Sequence, residues 1–355
     1  MATAEAPPAG PYDRARSLVG RDLERVEARL EAIVRSQAEY LGEEELAFYA
    51  GGKRLRPLLL LLSAHVAAHT PAETLPDKAI TAAVSLELSH VGSLIHDDIV
   101  DRAPMRRGLP TLSASRGYEL ALVIGDLHWV QATRLMSAHV ETREDILLMR
   151  DFLDRGEQTC RGQLDEMLSG AGGAQEEMLR RYYRTIDRKT GQLLSFACEG
   201  GARLMDGMPS VVGGLRRFGS WLGRAFQVMD DVIDVVRPAM ASDKEPLADL
   251  RQGRLSLPLI YTLAELEPDH FLQRIATGGT LSDEELAAGV EIVRGGAGWI
   301  RAISDARAVV ARARLELDLL PAGEHRDALD AIAAHIVDQG FLGPERVAVH
   351  EEGGS

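Results

Sequence analysis

The 355-residue chain has only two cysteines, Cys160 and Cys198, and they do not stand in a metal-binding spacing. This argues against a disulfide framework and is typical of a reducing compartment, so we expect a cytoplasmic location. Long apolar runs are also missing. The longest aliphatic run extends from Leu58 to Leu62, whereas a membrane-spanning helix needs roughly 20 apolar residues. Residues 1–12 lack the basic-then-apolar order of a signal peptide, and we therefore expect no transmembrane segment.

Positive charge is scarce as well. The chain has 40 lysines and arginines against 54 aspartates and glutamates, which gives a net charge of −14. Such a chain offers no general basic surface for a phosphate backbone, so we expect no nucleic-acid partner. Hydrophobic residues (45%) and charged residues (26%) occur in the proportions of an ordinary soluble globular protein. A chain of this length can bury a large core.

Strand signals are weak, because no stretch shows convincing period-two alternation. Helical spacing occurs instead, for example in Leu23, Val26 and Leu30. The chain is predicted to form helices over 77–101, 115–140, 143–169, 175–201 and 209–237. Breaks are predicted at 170–173 and 204–209, and Ser282 with Glu285 has the pattern of a capping box that opens another helix.

Two acidic triplets lie in otherwise apolar segments, and they consist of Asp97, Asp98 and Asp101 and of Asp230, Asp231 and Asp234. On a helix, the first and last aspartate of each triplet share a face, and the middle one is turned about 100° away. Like charges at this spacing weaken an isolated helix, which indicates a function that needs concentrated negative charge. Mg²⁺ prefers such oxygen ligands and is commonly held by carboxylates together with substrate phosphates. A solvated acidic helix face is the alternative, and the apolar flanking residues argue against it.

We therefore predict an all-α fold, a single large helical bundle with a central cavity flanked by two aspartate-rich helices. Bundle cores commonly carry metal sites built from inward-facing carboxylates. The domain is expected to span residues 16–344. Residues 1–15 and 345–355 are rich in Pro, Gly or charge and are expected to form flexible tails.

The order of motifs resembles that of the trans-isoprenyl diphosphate synthase family, also called polyprenyl synthetases, over roughly residues 45–265. The motifs are, in order, the basic run Gly51-Gly52-Lys53-Arg54-Leu55-Arg56-Pro57, His90, the first triplet with Arg106-Arg107-Gly108, Lys189-Thr190-Gly191, Gln227 with the second triplet, and Lys244, Asp249 and the run 253–258. The resemblance implies the isoprenoid synthase fold and usually a homodimer. It also implies a prenyltransferase that condenses isopentenyl diphosphate with an allylic diphosphate.

In this family, magnesium ions stabilise the departing diphosphate as Lewis acids, and the resemblance implies three of them. The matching metal ligands are Asp97, Asp101 and Asp230 directly, with Asp98, Asp231 and Asp234 in support. Catalysis is expected to depend on Asp97, Asp98, Asp101, Asp230, Asp231 and Lys189.

Basic residues would complete the two diphosphate sites that the resemblance implies. The residues that match the isopentenyl diphosphate site, which lacks metal in the family, are Lys53, Arg56, His90 and Arg107. Those that match the allylic diphosphate site are Arg106, Lys189, Thr190, Gln227 and Lys244. Each has a plainer alternative: a surface charge for a single Lys or Arg, a packed core position for His90, and a hydroxyl bonded to its own helix for Thr190.

Product length is expected to depend on the residues before the first triplet. In the family, aromatic side chains four or five residues before the first aspartate stop the product at C15. Here these positions hold Ser93 and Gly92, and the next turn offers Ser89 and Leu88. We therefore expect a product longer than C15, with C20 geranylgeranyl diphosphate favoured and C25 or longer open. A deeper obstruction would come from the 115–140 helix, where Trp129 and Met136 are unranked candidates.

The chain departs from the family pattern at several positions. Arg254 stands where the family usually has lysine, and Asp243 stands where it has glycine. In the family, an aspartate follows a glutamine by three residues; here Glu166 takes that position after Gln163, with Asp165 one step early. The basic carboxyl-terminal ending of the family is replaced by the acidic run 351–355.

Two other functions stay open. One is a related enzyme that ionises a prenyl diphosphate and then cyclises it or transfers it to another acceptor. Lys53, Arg56 and His90 argue against this, because a cyclase needs no second diphosphate site. The other is a noncatalytic partner subunit. Such subunits commonly lose aspartates, whereas this chain keeps all six.

Overall fold

The computed structural model describes residues 10–42, 45–46, 52–69, 73–168, 173–236, 250 and 253–338. The first half of this part consists of helices α1 (Pro11–Leu18), α2 (Gly20–Arg35), α3 (Leu55–Ala67), α4 (Asp77–Val100), α5 (Leu112–Arg116), α6 (Tyr118–Ser137) and α7 (Arg143–Met167). The second half consists of α8 (Gln175–Ile186), a π-helical segment (Asp187–Gly191), α9 (Gln192–Leu204), α10 (Pro209–Val236), α11 (Leu257–Glu265), α12 (Gln273–Ala276), α13 (Asp283–Gly295), α14 (Gly298–Leu317) and α15 (Glu324–Val337).

The predicted all-α architecture is confirmed. The helices predicted over 77–101, 143–169 and 209–237 correspond to α4, α7 and α10 within two residues at each end. The predicted helix over 115–140 is instead divided at Gly117, whose φ of 90° suits glycine and ends α5. The predicted helix over 175–201 is interrupted by the π-helical segment. The capping box is confirmed, because the Ser282 side chain accepts a hydrogen bond from the Glu285 amide at the start of α13.

A small hairpin follows α4. Strand β1 (Met105–Arg106) pairs antiparallel with β2 (Leu109–Pro110). The two-residue turn uses Arg107 (φ 53°) and Gly108 (φ 80°), and positive φ values at both positions are those of a type I′ turn. Each strand has only two residues, which is too short to produce the alternation that identifies strands in a sequence.

The core lies around α3, α4, α9 and α10. All five residues of the run Leu58–Leu62 are fully buried in α3, which explains this aliphatic run as core. Helices α3 and α9 approach closely at Gly201, where an added Cβ would lie 2.3 Å from the Leu60 carbonyl oxygen. Within the described ranges, no helix is long and apolar enough to cross a bilayer.

Helices α4 and α6 run antiparallel along each other. The His96 ring lies 3.1 Å from the Leu122 carbonyl oxygen, and the Ser85 hydroxyl donates to the Ala132 carbonyl at 2.7 Å. Descending α4 from its aspartate triplet therefore corresponds to ascending α6 in sequence. This register places each residue of α6 at a defined depth below the triplet.

The amino-terminal end of the chain differs from the prediction. Residues 11–15, assigned to a flexible tail, belong to α1, where Tyr12 and Ala15 are buried. The predicted domain boundary at residue 15 therefore lies inside a helix. The predicted tail 345–355 falls outside the described residues, as do Lys244 and Asp243.

Candidate active site

The first acidic triplet lies at the end of α4, and its three carboxylates have different surroundings. Asp98 is buried and accepts hydrogen bonds from the Arg106 guanidinium at 2.8 and 3.0 Å. Asp97 and Asp101 keep part of their side chains accessible. Burial raises the pKa of Asp97, and the nearby carboxylates of Glu166 and Asp101 add to that effect. The middle aspartate is thus buried and held by Arg106, whereas the outer two keep partial access to solvent.

The second triplet, on α10, repeats this division. Asp231 is buried and accepts hydrogen bonds from the Tyr182 hydroxyl at 2.6 Å and from the Gln227 amide at 3.1 Å. Burial raises the pKa of Asp231 to about 7. Asp230 is exposed, and Asp234 is half-buried. Tyr182, which anchors Asp231 from α8, was not identified from the sequence, because nothing in its local pattern relates it to a residue 49 positions away.

The π-helical segment connects the two triplets. The Lys189 ammonium lies 2.7 Å from Glu166 and 3.9 Å from Asp97 on α4. The adjacent Thr190 hydroxyl donates to Gln227 at 2.8 Å, and Gln227 in turn donates to Asp231. Burial opposes the charge of Lys189, but the two carboxylates outweigh it and raise the pKa of the ammonium group. One short segment therefore reaches both aspartate helices.

Two helix glycines hold this segment in place. A Cβ on Gly162 of α7 would lie 2.5 Å from the Lys189 amide nitrogen. A Cβ on Gly223 of α10 would lie 2.7 Å from the Gly191 Cα atom. The backbones of three elements thus meet without side chains between them. Glycine inside a helix lowers helix stability, so these positions carried a signal for close packing that the sequence analysis did not use.

Glu166 and Arg254 complete the cluster around Lys189. Arg254 forms an ion pair with Asp101 and lies 3.6 Å from Glu166. Asp165 instead pairs with Arg188 at 2.7 Å and faces away from the cluster. The shifted position of Glu166 therefore brings its carboxylate into the site. Arg254 reaches two carboxylates on two helices, for which its forked guanidinium is better suited than a lysine.

The two arginines of the basic motif before α3 have different surroundings. Arg54 adopts a left-handed conformation (φ 48°) and is bound by Glu27 and Glu87, each at 3.0 Å. Arg56 differs, because its buried Nε has no hydrogen-bond acceptor among the residues described. Desolvation lowers the pKa of Arg56 to about 10. The Lys53 ammonium lies 4.8 Å from the centre of the Tyr12 ring.

His90 lies beside these cations in a pocket with an excess of positive charge. Desolvation and the nearby guanidinium groups of Arg56, Arg107 and Arg106 hold the pKa of His90 well below its usual range. The hairpin turn brings Arg107 to the basic motif, where its Nη1 lies 3.0 Å from the position of a Cβ on Gly52. A pocket with several cations and a neutral imidazole suits an anion such as a diphosphate.

The predicted length-determining positions lie on α4 below Asp97. Leu88 and Ser89 are buried, and the Ser93 hydroxyl donates to the His90 carbonyl at 2.7 Å. Gly92 faces α6, and its Cβ would lie 3.0 Å from the Gly125 carbonyl oxygen. Trp129 is half-buried at the same level. Gly92 therefore marks a close helix contact.

The two triplets supply only part of the ligand set that a magnesium ion needs. Among the described residues, no three acidic, histidine or cysteine side chains converge closely enough to hold an ion by themselves. The accessible outer carboxylates of both triplets nevertheless fit Mg²⁺, which typically takes one or two carboxylates and completes its shell with phosphate oxygens and water. The neighbouring cations Lys189 and Arg254 suit the same phosphate group.

The described part of the chain is thus an all-α bundle with two aspartate triplets on α4 and α10 and a separate cationic pocket around His90 beside them. The polyprenyl synthetase family model matches residues 43–293, and the chain belongs to this family. It is therefore a prenyltransferase, and the resemblance found in the sequence is confirmed.

Similar proteins cover nearly the whole chain. The nonaprenyl diphosphate synthase of Mycobacterium tuberculosis is 32% identical over 89% of this chain and 91% of its own length. The heptaprenyl diphosphate synthase component 2 of Geobacillus stearothermophilus is 31% identical over 90% of this chain and 96% of its own. The geranylgeranyl pyrophosphate synthase of Corynebacterium glutamicum, solved with calcium and isoprenyl diphosphate, has a TM-score of 0.71 and 27% identity over 91% of this chain and 97% of its own.

Substitution of Gly162 by alanine is expected to displace the π-helical segment, because the methyl group would collide with the Lys189 backbone. A displacement of about 1 Å at a reacting centre can lower kcat/KM about 100-fold. Steady-state prenyltransfer assays measure the effect. Gly213→Ala on α10 is the control, since its Cβ would contact only a flexible arginine side chain. Equal kcat/KM for both variants and the unmodified protein would show that Gly162 does not hold the π-helical segment in place.

Protonation of His90 is expected to destabilise the fold. Its pKa is depressed in the folded state, so as the pH falls through the unfolded value of about 6.5 the unfolded chain binds the proton first. Stability present above pH 6.5 is then lost at up to about 1.4 kcal/mol per pH unit. Urea unfolding of the unmodified protein and of His90→Asn between pH 7.5 and 5.5 measures the difference. Parallel stability curves would show that His90 does not contribute.

Proposed function

We propose that this prenyltransferase condenses isopentenyl diphosphate with an allylic diphosphate to a linear product, geranylgeranyl diphosphate (C20). The observation that carries the proposal is the second cationic pocket around His90, which lies beside the acidic cluster and contains Arg56 and Arg107. An enzyme that only ionises one prenyl diphosphate has no use for a second anion pocket. A condensing enzyme needs both.

The allylic diphosphate would bind at the acidic cluster with three Mg²⁺ ions. Asp97, Asp101 and Asp230 would hold them directly, and Asp234 would support them. Bound there, the metal would supply Lewis-acid stabilisation of the negative charge on the diphosphate. The similar enzyme of Corynebacterium glutamicum, with bound calcium and isoprenyl diphosphate, supports the use of divalent metal. Asp98 and Asp231 act differently in this proposal: each is buried against protein donors and positions the accessible aspartates of its triplet.

Basic and polar side chains orient the allylic substrate. Lys189 would transfer its contact from Glu166 to a diphosphate oxygen, gaining a charge-assisted hydrogen bond. Arg106 is anchored on Asp98, so its remaining N–H groups have a fixed direction. Thr190 and Gln227, already bonded to each other, would contact the reacting end of the substrate. Lys244 is expected to join this set.

The isopentenyl diphosphate would be bound without metal. Arg56 offers a buried N–H that lacks an acceptor in the described structure, and Arg107 approaches from the hairpin. Neutral His90 would donate one N–H, and the exposed Lys53 would add a positive charge. The substrate anion would thus offset the repulsion among these cations.

Condensation is tested by incubating the purified protein with Mg²⁺, isopentenyl diphosphate and dimethylallyl, geranyl or farnesyl diphosphate. Products are dephosphorylated and separated by chromatography. Linear C20 alcohols that disappear with a chelator are expected. Arg56→Gln should raise the KM for isopentenyl diphosphate about 10-fold or more, as expected for a lost charge-assisted bond, and should leave the KM for the allylic substrate nearly unchanged.

Arg307→Gln is the matched control for that experiment, because Arg307 is an exposed arginine on α14. Cyclic hydrocarbons formed without isopentenyl diphosphate would support the cyclising relative instead. A chain that is inactive alone and active with a second protein would resemble component 2 of the heptaprenyl enzyme.

We further propose a homodimer formed through α7. Ile146, Leu153 and Met167 are large apolar side chains on this helix, and each is about half or more exposed. They stand at intervals of 7 and 14 residues and so share one stripe, which is the pattern of a helix seam. Exposed apolar stripes of this kind commonly mark protein interfaces.

We also propose a cytoplasmic location. Both cysteines are free thiols, consistent with a reducing cytoplasm.

The seam predicts that Leu153→Glu converts the dimer to a monomer, because a buried unpaired carboxylate in each subunit would oppose association. Light scattering coupled to size-exclusion chromatography measures the mass. Arg307→Glu, at an exposed position on α14, is the control for added negative charge. A monomeric unmodified protein would refute the homodimer.

A further inference from the structure

We propose that Tyr12 on α1 is a positioning residue for isopentenyl diphosphate, and that it acts by holding the Lys53 ammonium group beside the cationic pocket around His90. This role rests on the proposed condensation and extends the isopentenyl diphosphate site to the amino-terminal helix. Residues 11–15 were expected to lie in a flexible tail, so the role depends on a contact that only the fold creates.

The Tyr12 ring is fixed inside the bundle. The residue is only 9% exposed, and it is one of the two buried residues of α1. The His335 ring of α15 packs nearly perpendicular to it, with 5.4 Å between the ring centres and 77° between the ring planes. Edge-to-face packing is a favoured arrangement of aromatic rings. Two helices from opposite ends of the chain therefore set the orientation of the ring.

Lys53 lies against this ring. Its ammonium nitrogen is 4.8 Å from the centre of the Tyr12 ring, within the roughly 6 Å over which an aromatic face attracts a cation. Burial raises the pKa of Tyr12 to about 12, so the phenol is neutral near pH 7. Desolvation, and then the charge of Lys53, lower the pKa of His335. The lysine thus lies close to the junction of α1 and α15.

An aromatic ring can hold a cation without cancelling its charge. Arg54, the next residue along the chain, is bound by Glu27 and Glu87, each at 3.0 Å, and these carboxylates offset its positive charge. The Tyr12 ring instead attracts Lys53 through its quadrupole and carries no net charge. The contact therefore restricts the lysine side chain and preserves the positive charge that a diphosphate needs.

The backbone connects Lys53 to the cationic pocket. Gly52 (φ 93°) and Arg54 (φ 48°) flank it in left-handed conformations. The Arg107 Nη1 atom lies 3.0 Å from the position of a Cβ on Gly52. A lysine side chain loses much rotamer freedom when it binds an anion. Because the Tyr12 ring restricts this side chain before the substrate arrives, less of that entropy is lost on binding.

The ring is the part of Tyr12 that acts, because its buried hydroxyl finds no hydrogen-bond partner among the residues that the structure describes. A buried hydroxyl without a partner opposes folding. Tyr12→Phe should therefore keep the contact with Lys53 and should not lower stability. Tyr12→Leu removes the aromatic face and keeps an apolar side chain.

Steady-state kinetics of both variants with Mg²⁺ and farnesyl diphosphate test this role. Tyr12→Leu should raise the KM for isopentenyl diphosphate about 2- to 5-fold, the size of an exposed cation–π contact. The KM for farnesyl diphosphate should not change, and Tyr12→Phe should match the unmodified protein. Leu329→Ala, at a fully buried position of α15, is the control for lost packing. It should lower Tm and leave both KM values unchanged.

A double-mutant cycle distinguishes an effect through Lys53 from a general loosening of the fold. In a Lys53→Gln background, Tyr12→Leu should cause no further rise in the KM for isopentenyl diphosphate, because the cation that the ring holds is gone. An equal rise in both backgrounds, or no rise in Tyr12→Leu alone, would overturn the assignment of Tyr12 and leave the condensation intact.

Two further outcomes are decisive. If Tyr12→Leu does not fold, Tyr12→Met removes the ring with a longer apolar side chain, and the same criteria apply to it. Absence of any elongation by the unmodified protein would refute the proposed condensation and the role of Tyr12 with it.

Discussion

Repulsion among clustered carboxylates is the constraint on which the rest of this site depends. Six aspartates on two helices would destabilise both helices if left to themselves. The protein answers with donors fixed by tertiary structure: Arg106 binds Asp98, Tyr182 and Gln227 bind Asp231, and Arg254 binds Asp101. Asp97 and Asp230, the first aspartate of each triplet, keep part of their side chains accessible. A ligand is then needed only where charge is left exposed.

The fit between elements at the centre of the site is set by backbone contacts. Gly162 and Gly223 let α7 and α10 touch the π-helical segment, so Lys189 and Thr190 are held by main-chain packing. Such packing tolerates little displacement. It complements the charge arrangement, because the main chain that carries Lys189 and Thr190 is fixed by its close contacts with Gly162 and Gly223.

Much of this could be predicted from the sequence, and the limits are physical. The sequence located α4, α7 and α10, which are each longer than 20 residues and have no internal break. The aspartate triplets and the basic motif were identified from the local spacing of their charged residues. Tyr182 and Arg254 could not be paired with their aspartates, because the partners lie 49 and 153 positions apart. The division of 115–140 and the π-helical interruption depend on backbone geometry that periodicity does not report.

The exchange between Asp165 and Glu166 shows the same limit on a smaller scale. Spacing alone left both as candidates, and one step along a helix turns a side chain by about 100°. The structure places Glu166 among Lys189 and Arg254 and directs Asp165 to Arg188. Only the orientation of α7 relative to its neighbours distinguishes them.

The antiparallel pairing of α4 with α6 has a consequence for how such an enzyme can diversify. The face of α4 that α6 covers runs through Ser85, Gly92 and His96, whereas Asp97, Asp98 and Asp101 make their contacts with other elements. Mutations along the α4–α6 contact can therefore accumulate without altering the charged groups. One helix thus carries the charged groups at its end and a separate packing surface along its side, and substitutions can change the second while the first stays fixed.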